Sequence, residues 1–574
     1  DTLLATFRQW IEREDVRTLN RNDLAILRSI PMYHTTSGRT ALDGKGRERH
    51  KYVRDMRRFL SSGIVDNDDE VDTHALLCSV SPVGHVLTVN KSEEKLLDAL
   101  GVTGVLFSSF LVHHFLPTLS DQTHNKLETR RARDVVLRAM LLNYSELVKE
   151  HPPLENVLRS TPFIPISSEK EESTEEKEDQ KIATSSGSGH GRHGVLAKCC
   201  DLYDPENEEI VPVLNARHLP SKESNMRDPS VLVVLRRLGL KRTLGRETVL
   251  EIAHEIDRTL DVERGAVLLR YLDAHSGRLL AVDERKRKRA GKKAGSFFAS
   301  IGRTLTGEPS VEEQEVEKEE KEIAHFVSSL LTIRWVPTVN METAGMGEGF
   351  PWSSEHRQDG VSLPTQTRPL QDVWISSSTF GLVETPVLSI AMREMLGWCR
   401  PLLPSVIARQ IVGLSEYHTR IEKTKGESLR LLSIRLPSLY NELDRSMLVL
   451  MKDDSKTSSA NGAKDAHSAN VNSLRSEIEA VRIVLEGKKW VWVENTFVES
   501  GRVSSKEQRI DCRPYLYSVP RHLRTLSSTF RQTLVETLDV RPQFGPSDYA
   551  QVTRDMHQEN SKKHSSDEND DGDV

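Results

Sequence analysis

The chain has 574 residues, of which 37% are hydrophobic and 29% are charged, and its formal net charge is -6. A chain of this length exceeds what one hydrophobic core organises, so two to four domains are expected. The small net charge does not select a polyanionic partner, and no apolar run approaches the roughly 18 residues that a membrane span requires.

The five cysteines are scattered along the sequence and form no paired framework, which is typical of proteins in a reducing compartment. We therefore expect a cytoplasmic protein. The first residue is Asp1, and residues 2–14 read as an amphipathic helix rather than a signal peptide. We expect the chain to be a fragment of a longer protein.

Four polar segments divide the chain. They carry too little apolar surface to offset the entropy of ordering, which predicts disordered insertions at 168–194, 283–322 and 452–472 and a disordered acidic tail at 558–574. The Glu/Lys run at 311–322 is also compatible with an extension of the helix that follows it. The remaining sequence predicts three α+β units, at 1–157, 158–332 and 333–557.

Within these units, the hydrophobic pattern predicts mostly helices. Apolar residues at helical spacing mark three of them, at Arg130–Lys149, Thr248–Leu260 and Leu474–Leu485. Aromatic and β-branched residues predict strands at Trp490–Val493 and Asp372–Ile375. The predicted fold class is α+β: multi-domain and helix-rich, with small mixed sheets and disordered polar insertions.

Three predicted helices end in the same pattern. A residue that can leave the helical conformation comes first, and a hydrophobic residue follows it directly. The pairs at the break are Gly101-Val102, Gly239-Leu240 and Asp539-Val540. Glycine adopts the left-handed conformation at a helix C-terminus without steric cost, and aspartate tolerates it less well. We expect the chain to leave the helix at each of these positions.

Two glycine-rich segments fail the requirements of a phosphate-binding loop. Five residues instead of four separate Gly38 from Gly44-Lys45, and Gly46 stands where a hydroxyl for magnesium is needed. The run Gly345–Gly349 is followed by Phe350-Pro351-Trp352 rather than by a helix N-terminus, so no cluster of free backbone N–H groups is expected. Both segments read as loops.

The sequence also gives only weak signals for a metal site or a catalytic base. His190, His193 and the adjacent Cys199-Cys200 pair lie close together, but their spacing matches no closed zinc site. The pair His113-His114 lies in an apolar helical stretch where nothing completes a catalytic pair, which favours a structural role. The sequence therefore predicts no catalytic, cofactor-binding or metal-ligating residue.

A series of landmarks resembles the sacsin repeat family, and together they cover the chain from Leu24 to about Val552. The clearest are Asp201–Pro205, Val231–Leu244, Trp490–Val498, Pro514–Tyr517 and Pro546–Tyr549. A further landmark, Leu27–Gly38, resembles the start of the family's pattern except at Met32-Tyr33-His34, and Trp490–Val498 departs from the pattern at Glu494-Asn495. Each landmark is weak alone, and the specificity lies in their number and order.

In sacsin-like proteins, a gyrase/kinase-type (GHKL) ATPase module, similar to that of the ninety-kilodalton heat-shock chaperone, precedes this region. Asp66–Asp69 and Asp359-Gly360 do not provide the boxes of that module in the required order. The resemblance therefore implies a non-catalytic chaperone or co-chaperone body that binds client proteins and other chaperones in protein quality control. It implies no cofactor in this chain and assigns any ATP chemistry to an upstream module.

Two alternatives stay open. In the first, the chain is itself an ATP-dependent enzyme of the GHKL type. In the second, it binds nucleic acid through the basic block 285–293, although only Phe297-Phe298 supply aromatic rings nearby.

Client binding, the function that the resemblance implies, requires an exposed apolar groove. The sequence offers four tryptophans that could line such a groove or belong to the core instead, namely Trp10, Trp352, Trp374 and Trp398.

Overall fold

The computed structural model describes residues 19–30, 33–35, 38–40, 51–62, 76–77, 80, 85–86, 91–119, 127–166, 195–280, 311–356, 360–421, 426–457, 476–506 and 514–567. The described residues form an α+β, multi-domain fold that is rich in helix. Backbone contacts divide the chain into two compact units, Asp1–Leu244 (unit 1) and Gly245–Val574 (unit 2). The division into three units at 157 and 332 stays a prediction.

Unit 1 contains a five-stranded mixed sheet. The sheet order is β2-β1-β4-β3-β5, and the strands are β1 (Tyr33–Thr35), β2 (Gly38–Thr40), β3 (Lys51–Arg54), β4 (His85–Val86) and β5 (Thr103–Leu106). Strand β3 is parallel to β4 and β5, while β1 is antiparallel to β2 and β4. A separate antiparallel ladder pairs β6 (Ile164–Pro165) with β7 (Leu196–Ala197).

The helices of unit 1 are α1 (Arg21–Ser29), α2 (Met56–Leu60), α3 (Lys91–Ala99), α4 (Phe107–Phe110), α5 (Leu116–Thr118), α6 (Leu127–Leu142), α7 (Tyr144–Glu150), α8 (Pro153–Ser160) and α9 (Pro229–Leu238). A π-helical turn, Leu111–Phe115, joins α4 to α5. The predicted helix Arg130–Lys149 is confirmed as α6 and α7, with a break at Asn143. Apolar side chains from α2 and α4 to α9 form one buried core.

Helix α9 illustrates how the sequence sets a helix and its end. Pro229 stands in its first turn, and four apolar side chains recur at helical spacing and are buried, namely Val231, Leu232, Leu235 and Leu238. Gly239 then adopts φ 114°, and the N–H of Leu240 donates to the Leu235 carbonyl at 3.0 Å. Gly101 and Asp539 have φ values of 80° and 58°, so all three predicted helix exits are confirmed.

The helices of unit 2 are α10 (Arg246–Thr259), α11 (Val262–Leu279), α12 (Val311–Leu331), α13 (Val373–Ser376), α14 (Ile390–Met395), α15 (Pro404–Ile421), α16 (Gly426–Thr457), α17 (476–485), α18 (Arg521–Arg524), α19 (Ser528–Glu536) and α20 (Pro546–Asp567). The predicted helices Thr248–Leu260 and Leu474–Leu485 are confirmed as α10 and α17, except that Leu474 and Arg475 lie outside the described residues. None of the helices in the described part of the chain has the length and apolar character that crossing a bilayer requires.

Four two-stranded ladders complete unit 2. Two are antiparallel, β8 (Val336–Thr338) with β9 (Gly360–Ser362) and β12 (Lys489–Val493) with β13 (Thr496–Glu499). Two are parallel, β10 (Thr367–Pro369) with β11 (Gly381–Val383) and β14 (Val503–Ser504) with β15 (Tyr517–Ser518). The main core of unit 2 is built by α15, α16, α17, α19 and the β12–β13 hairpin.

One predicted strand is confirmed and the other is wrong. Trp490–Val493 lies in β12, as expected from its aromatic and β-branched residues. Asp372–Ile375 instead closes a 3-10 turn and enters α13, where the Ser376 hydroxyl donates to the Asp372 carbonyl at 3.1 Å. A run of four residues is too short for its periodicity to separate a strand from a helical turn.

The polar runs contain more helix than their composition predicts. Residues 311–322 belong to α12, so disorder was the wrong prediction there and the alternative, in which the Glu/Lys run extends the following helix, is confirmed. Residues 452–457 end α16 and residues 558–567 belong to α20, so the prediction of disorder was wrong for these two stretches as well. In α12, Lys321 pairs with Glu317 at 2.8 Å, and opposite charges at this spacing support a helix without core contacts. The remaining predicted disordered residues, 168–194, 283–310, 458–472 and 568–574, lie outside the described residues.

His522 in α18 gives unit 2 a dependence on pH. Its imidazole stacks on Tyr440 with ring centroids 5.3 Å apart, and burial lowers its pKa from 6.5 to about 4. Because the unfolded chain binds this proton at higher pH than the folded chain, the contribution is present above about pH 6.5 and is lost as the pH falls toward about 4. We expect the His522 contribution to the free energy of unfolding to fall by about 3 kcal/mol over that window, at about 1.4 kcal/mol per pKa unit.

The test is urea denaturation of the full chain between about pH 7 and pH 4, followed by tryptophan emission. Six of the seven tryptophans lie in unit 2, so this signal reports that unit. In the wild type, the free energy of unfolding of unit 2 should fall as the pH is lowered. His522→Gln should reduce this fall, whereas the matched control His557→Gln, at an exposed position on α20, should leave it unchanged. An unchanged decline in His522→Gln contradicts the assignment.

Candidate interaction surface

Three of the four tryptophans that the sequence offers as groove-lining residues are described by the structure, and these three are packed rather than exposed. Trp352 and Trp374 lie against the main core of unit 2. Trp398 donates its indole N–H to the Thr367 hydroxyl at 3.3 Å and is partly buried. Trp10 lies outside the described residues. The described tryptophans therefore stabilise the fold, and any exposed apolar surface has to be built from other residues.

Of the cysteine and histidine cluster in the sequence, the structure describes only the two cysteines. Cys199 is buried, its thiol donates to the Leu235 carbonyl at 3.1 Å, and burial raises its pKa to about 12. Cys200 is exposed, while His190 and His193 lie outside the described residues. Within the described ranges, no group of three or more His, Cys, Asp or Glu side chains could hold a metal ion.

The other segments singled out in the sequence occupy structural positions. His113 and His114 lie in the π-helical turn, where the His114 ring is 5.5 Å from that of Phe110 and burial lowers the pKa of His114. The run Gly345–Gly349 forms a loop, as predicted. The basic block 285–293 and most of the segment from Gly38 to Gly46 lie outside the described residues.

The most exposed apolar side chains lie where the chain enters α14 after β11. Leu388 is 76% exposed and Ile390 is 70% exposed, the highest values among the large apolar side chains that the structure describes. Val387, immediately before them, is only 4% exposed. The chain therefore buries one apolar side chain of this segment and turns the next two toward solvent. We call Leu388 and Ile390 the aliphatic pair.

A carboxylate on helix α11 holds the backbone under the aliphatic pair. The N–H of Leu388 donates to Asp273 Oδ2 at 2.9 Å, and the N–H of Ser389 donates to Asp273 Oδ1 at 2.8 Å. Both carboxylate oxygens are thereby used on two successive backbone amides. Hydrogen bonds to an ionised acceptor are about twice as strong as those between neutral groups.

Three further hydrogen bonds fix the same segment on its other sides. The hydroxyls of Ser389 and Ser276 lie 2.7 Å apart, and Ser389 Oγ also accepts from the Met392 N–H to cap α14. Arg393 Nε donates to the Val387 carbonyl at 2.7 Å. The backbone from Val387 to Ile390 is thus held from α11 and from α14, and the aliphatic pair projects from a fixed support.

This arrangement is suited to binding apolar surface on another molecule. Two large aliphatic side chains in water gain free energy when a partner covers them, at roughly 25 cal/mol per Å² of buried apolar area. A support that is already ordered lowers the entropy cost of association, since little backbone freedom remains to be lost. The geometry offers anchoring contacts for apolar side chains of another molecule.

Sequence reasoning does not find this surface. Val387–Ile390 has three apolar residues around Ser389, and four residues are too few for their spacing to show which side chains are buried. The exposure of the aliphatic pair depends on Asp273, more than a hundred residues earlier, and no local pattern reports that contact. The one local signal is Ser389, a residue type that favours a helix N-cap.

Comparisons with protein-family models, with curated proteins and with solved structures find no match to this chain.

Proposed function

We propose that this chain is a protein-binding body of a sacsin-like chaperone or co-chaperone, which acts in the cytoplasm on client proteins. The observation that carries the proposal is the aliphatic pair, Leu388 and Ile390, exposed on a backbone that Asp273 and Arg393 hold in place. In this proposal, the chain contacts apolar segments that unfolded clients expose, and it performs no catalysis itself.

Client binding at this surface is a matter of apolar contact with little sequence preference. Aliphatic side chains accept any apolar partner of suitable shape, because dispersion and the hydrophobic effect have no directional requirement. A chaperone needs this tolerance, since its clients share exposed apolar surface rather than a motif. The order of the sacsin-like landmarks supports the same class of function.

The test is suppression of aggregation of heat-unfolded citrate synthase by the full chain, without nucleotide and below equimolar ratio. The wild-type chain should keep the client soluble. The Leu388→Ser/Ile390→Ser variant should suppress aggregation to the same extent only at about tenfold higher concentration, because truncating central anchor residues removes most of the binding energy of a small interface.

The matched control is Val233→Ser/Ile483→Ser, which removes two aliphatic side chains that are each 63% exposed elsewhere. The control should suppress aggregation as the wild type does. Equal loss in both variants points to general surface hydrophobicity rather than to the aliphatic pair. A folded wild-type chain that fails to suppress aggregation rules out client holding by this part of the protein.

A further inference from the structure

The solvent face of helix α16 has an unusual composition. Its exposed positions between 430 and 445 are Arg430, Leu431, Ile434, Arg435, Ser438, Asn441 and Arg445. These seven residues include three arginines and two aliphatic residues, and none of them is acidic. A solvent face of ordinary composition mixes both signs of charge, in particular in a chain whose net charge is negative. We call these seven residues the basic face.

The arginines at the start of the basic face have no acidic partner in the described part of the chain. Arg445 pairs with Glu442 at 3.8 Å, but Arg430 and Arg435 form no ion pair with any residue that the structure describes. Leu431 and Ile434 are 43% and 59% exposed. Residues three and four positions apart are neighbours on a helix surface, so each aliphatic residue adjoins an arginine.

The opposite side of α16 fixes this face toward solvent. The core-facing apolar residues are Leu432, Leu436, Leu439 and Leu443, and each is at most 2% exposed. Tyr440 is fully buried and bonded to the backbone of β12. The helix cannot rotate to hide Leu431 and Ile434 without exposing this row, which is far larger. The basic face is therefore a permanent surface of unit 2.

We infer that the basic face binds an acidic amphipathic helix of a partner protein. Carboxylates on the partner pair with Arg430 and Arg435, because each planar guanidinium group can donate two parallel hydrogen bonds to one carboxylate. Apolar side chains on the partner, three or four residues apart, cover Leu431 and Ile434. The inference goes beyond client holding, because an unfolded client needs only apolar segments whereas this face selects for negative charge.

The same observations disfavour the other anionic surfaces. A helix that lies on a membrane inserts a broad apolar face, but the broad apolar face of α16 is already buried in the core. Single-stranded nucleic acid is bound by aromatic rings among basic residues, and the basic face has no aromatic residue. Two aliphatic residues between arginines fit a protein helix best.

The experiment measures binding of a fluorescein-labelled synthetic helix with leucines at three- and four-residue spacing and glutamates at its other positions. Its twin carries lysine in place of every glutamate. By fluorescence anisotropy, the full chain should bind the glutamate peptide at least about tenfold tighter than the lysine peptide, and added salt should narrow the difference. Arg430→Glu/Arg435→Glu should reverse the preference.

Two further variants separate the contributions. Leu431→Ser/Ile434→Ser should lower the affinity for the glutamate peptide, while the dependence of that affinity on salt concentration should stay as in the wild type. The control Arg531→Glu/Arg554→Glu makes the same charge change at exposed positions on α19 and α20 and should bind as the wild type does. Leu388→Ser/Ile390→Ser should also bind normally, so that failure here and failure of client holding are distinguished.

Three results overturn the inference. One is equal affinity for the glutamate and lysine peptides, and another is no binding of the glutamate peptide by the folded chain. The third is that Arg430→Glu/Arg435→Glu abolishes binding to phosphatidylserine vesicles or to single-stranded RNA while the glutamate peptide binds unchanged. In that case the basic face serves a lipid or a nucleic acid instead of a protein helix.

Discussion

Replacing Arg236 by methionine is expected to lower the free energy of unfolding of unit 1 by about 3 to 4 kcal/mol, because a buried carboxylate loses its bidentate partner. Of its cationic partners among the described residues, only the exposed Arg242, at 3.7 Å, then remains. Asp204 is 1% exposed, and its two oxygens accept from Arg236 Nε at 2.7 Å and from Nη2 at 2.9 Å. Far-UV circular dichroism during urea denaturation should show the loss. The tryptophan transition, which reports unit 2, should stay in place.

The pH dependence identifies the carboxylate as the cause. Hydrogen bonding from Arg236 holds the pKa of Asp204 below its ordinary value. A carboxyl with a lowered folded pKa stabilises the fold above its unfolded pKa of about 3.9, and this contribution is lost as the pH falls. The difference in free energy of unfolding between the wild type and Arg236→Met should therefore be largest near neutral pH and should become smaller below about pH 4.

Arg237→Met is the matched control, since Arg237 is the next residue on the same helix. Its side chain is 59% exposed and lies 3.6 Å from Glu155, so the change should cost less than about 1 kcal/mol. Equal destabilisation by both substitutions, or a gap that does not depend on pH, would falsify the assignment of the Arg236 effect to buried Asp204.

The Asp204–Arg236 pair also shows how far the sequence predicts the fold. Asp204 and Arg236 belong to two separate sequence segments, Asp201–Pro205 and Val231–Leu244, and the structure joins these segments by a parallel bridge between Tyr203 and Lys241. An equivalent bridge joins Ser504 to Arg541 after α19 in unit 2. The helix exits that precede both bridges follow from local sequence. The bridges themselves do not, because a two-residue strand carries no information about its partner.

The two proposed surfaces also differ in how far the sequence alone predicts them. The arginines and aliphatic residues of α16 recur at helical spacing, so the sequence contains the basic face once the buried side of the helix is known. The aliphatic pair has no such pattern. Its exposure follows from the hydrogen bonds of Asp273 to the backbone at Leu388 and Ser389, and contacts between distant segments are set by tertiary packing.

Tyr440→Phe is expected to lower the free energy of unfolding of unit 2 by about 3 kcal/mol, because it leaves two buried backbone groups of β12 unsatisfied. Tyr440 is fully buried, and its hydroxyl donates to the Trp490 carbonyl and accepts from the Trp492 N–H at 3.0 Å. Burial raises the pKa of the phenol, so it remains protonated and able to donate. One side chain of α16 thus completes the hydrogen bonding of a strand edge.

The substitution removes one oxygen atom and creates almost no cavity, so the loss measures the two stranded backbone groups rather than packing. Urea denaturation followed by tryptophan emission reads unit 2, and amide exchange at Trp492 should accelerate in the variant. Tyr417→Phe, the same change on the neighbouring helix α15, should cost less than about 0.5 kcal/mol, because among the residues that the structure describes the Tyr417 hydroxyl bonds to no pair of backbone groups. If Tyr440→Phe is no more costly than this control, the strand edge is satisfied by other groups and the hydroxyl is dispensable.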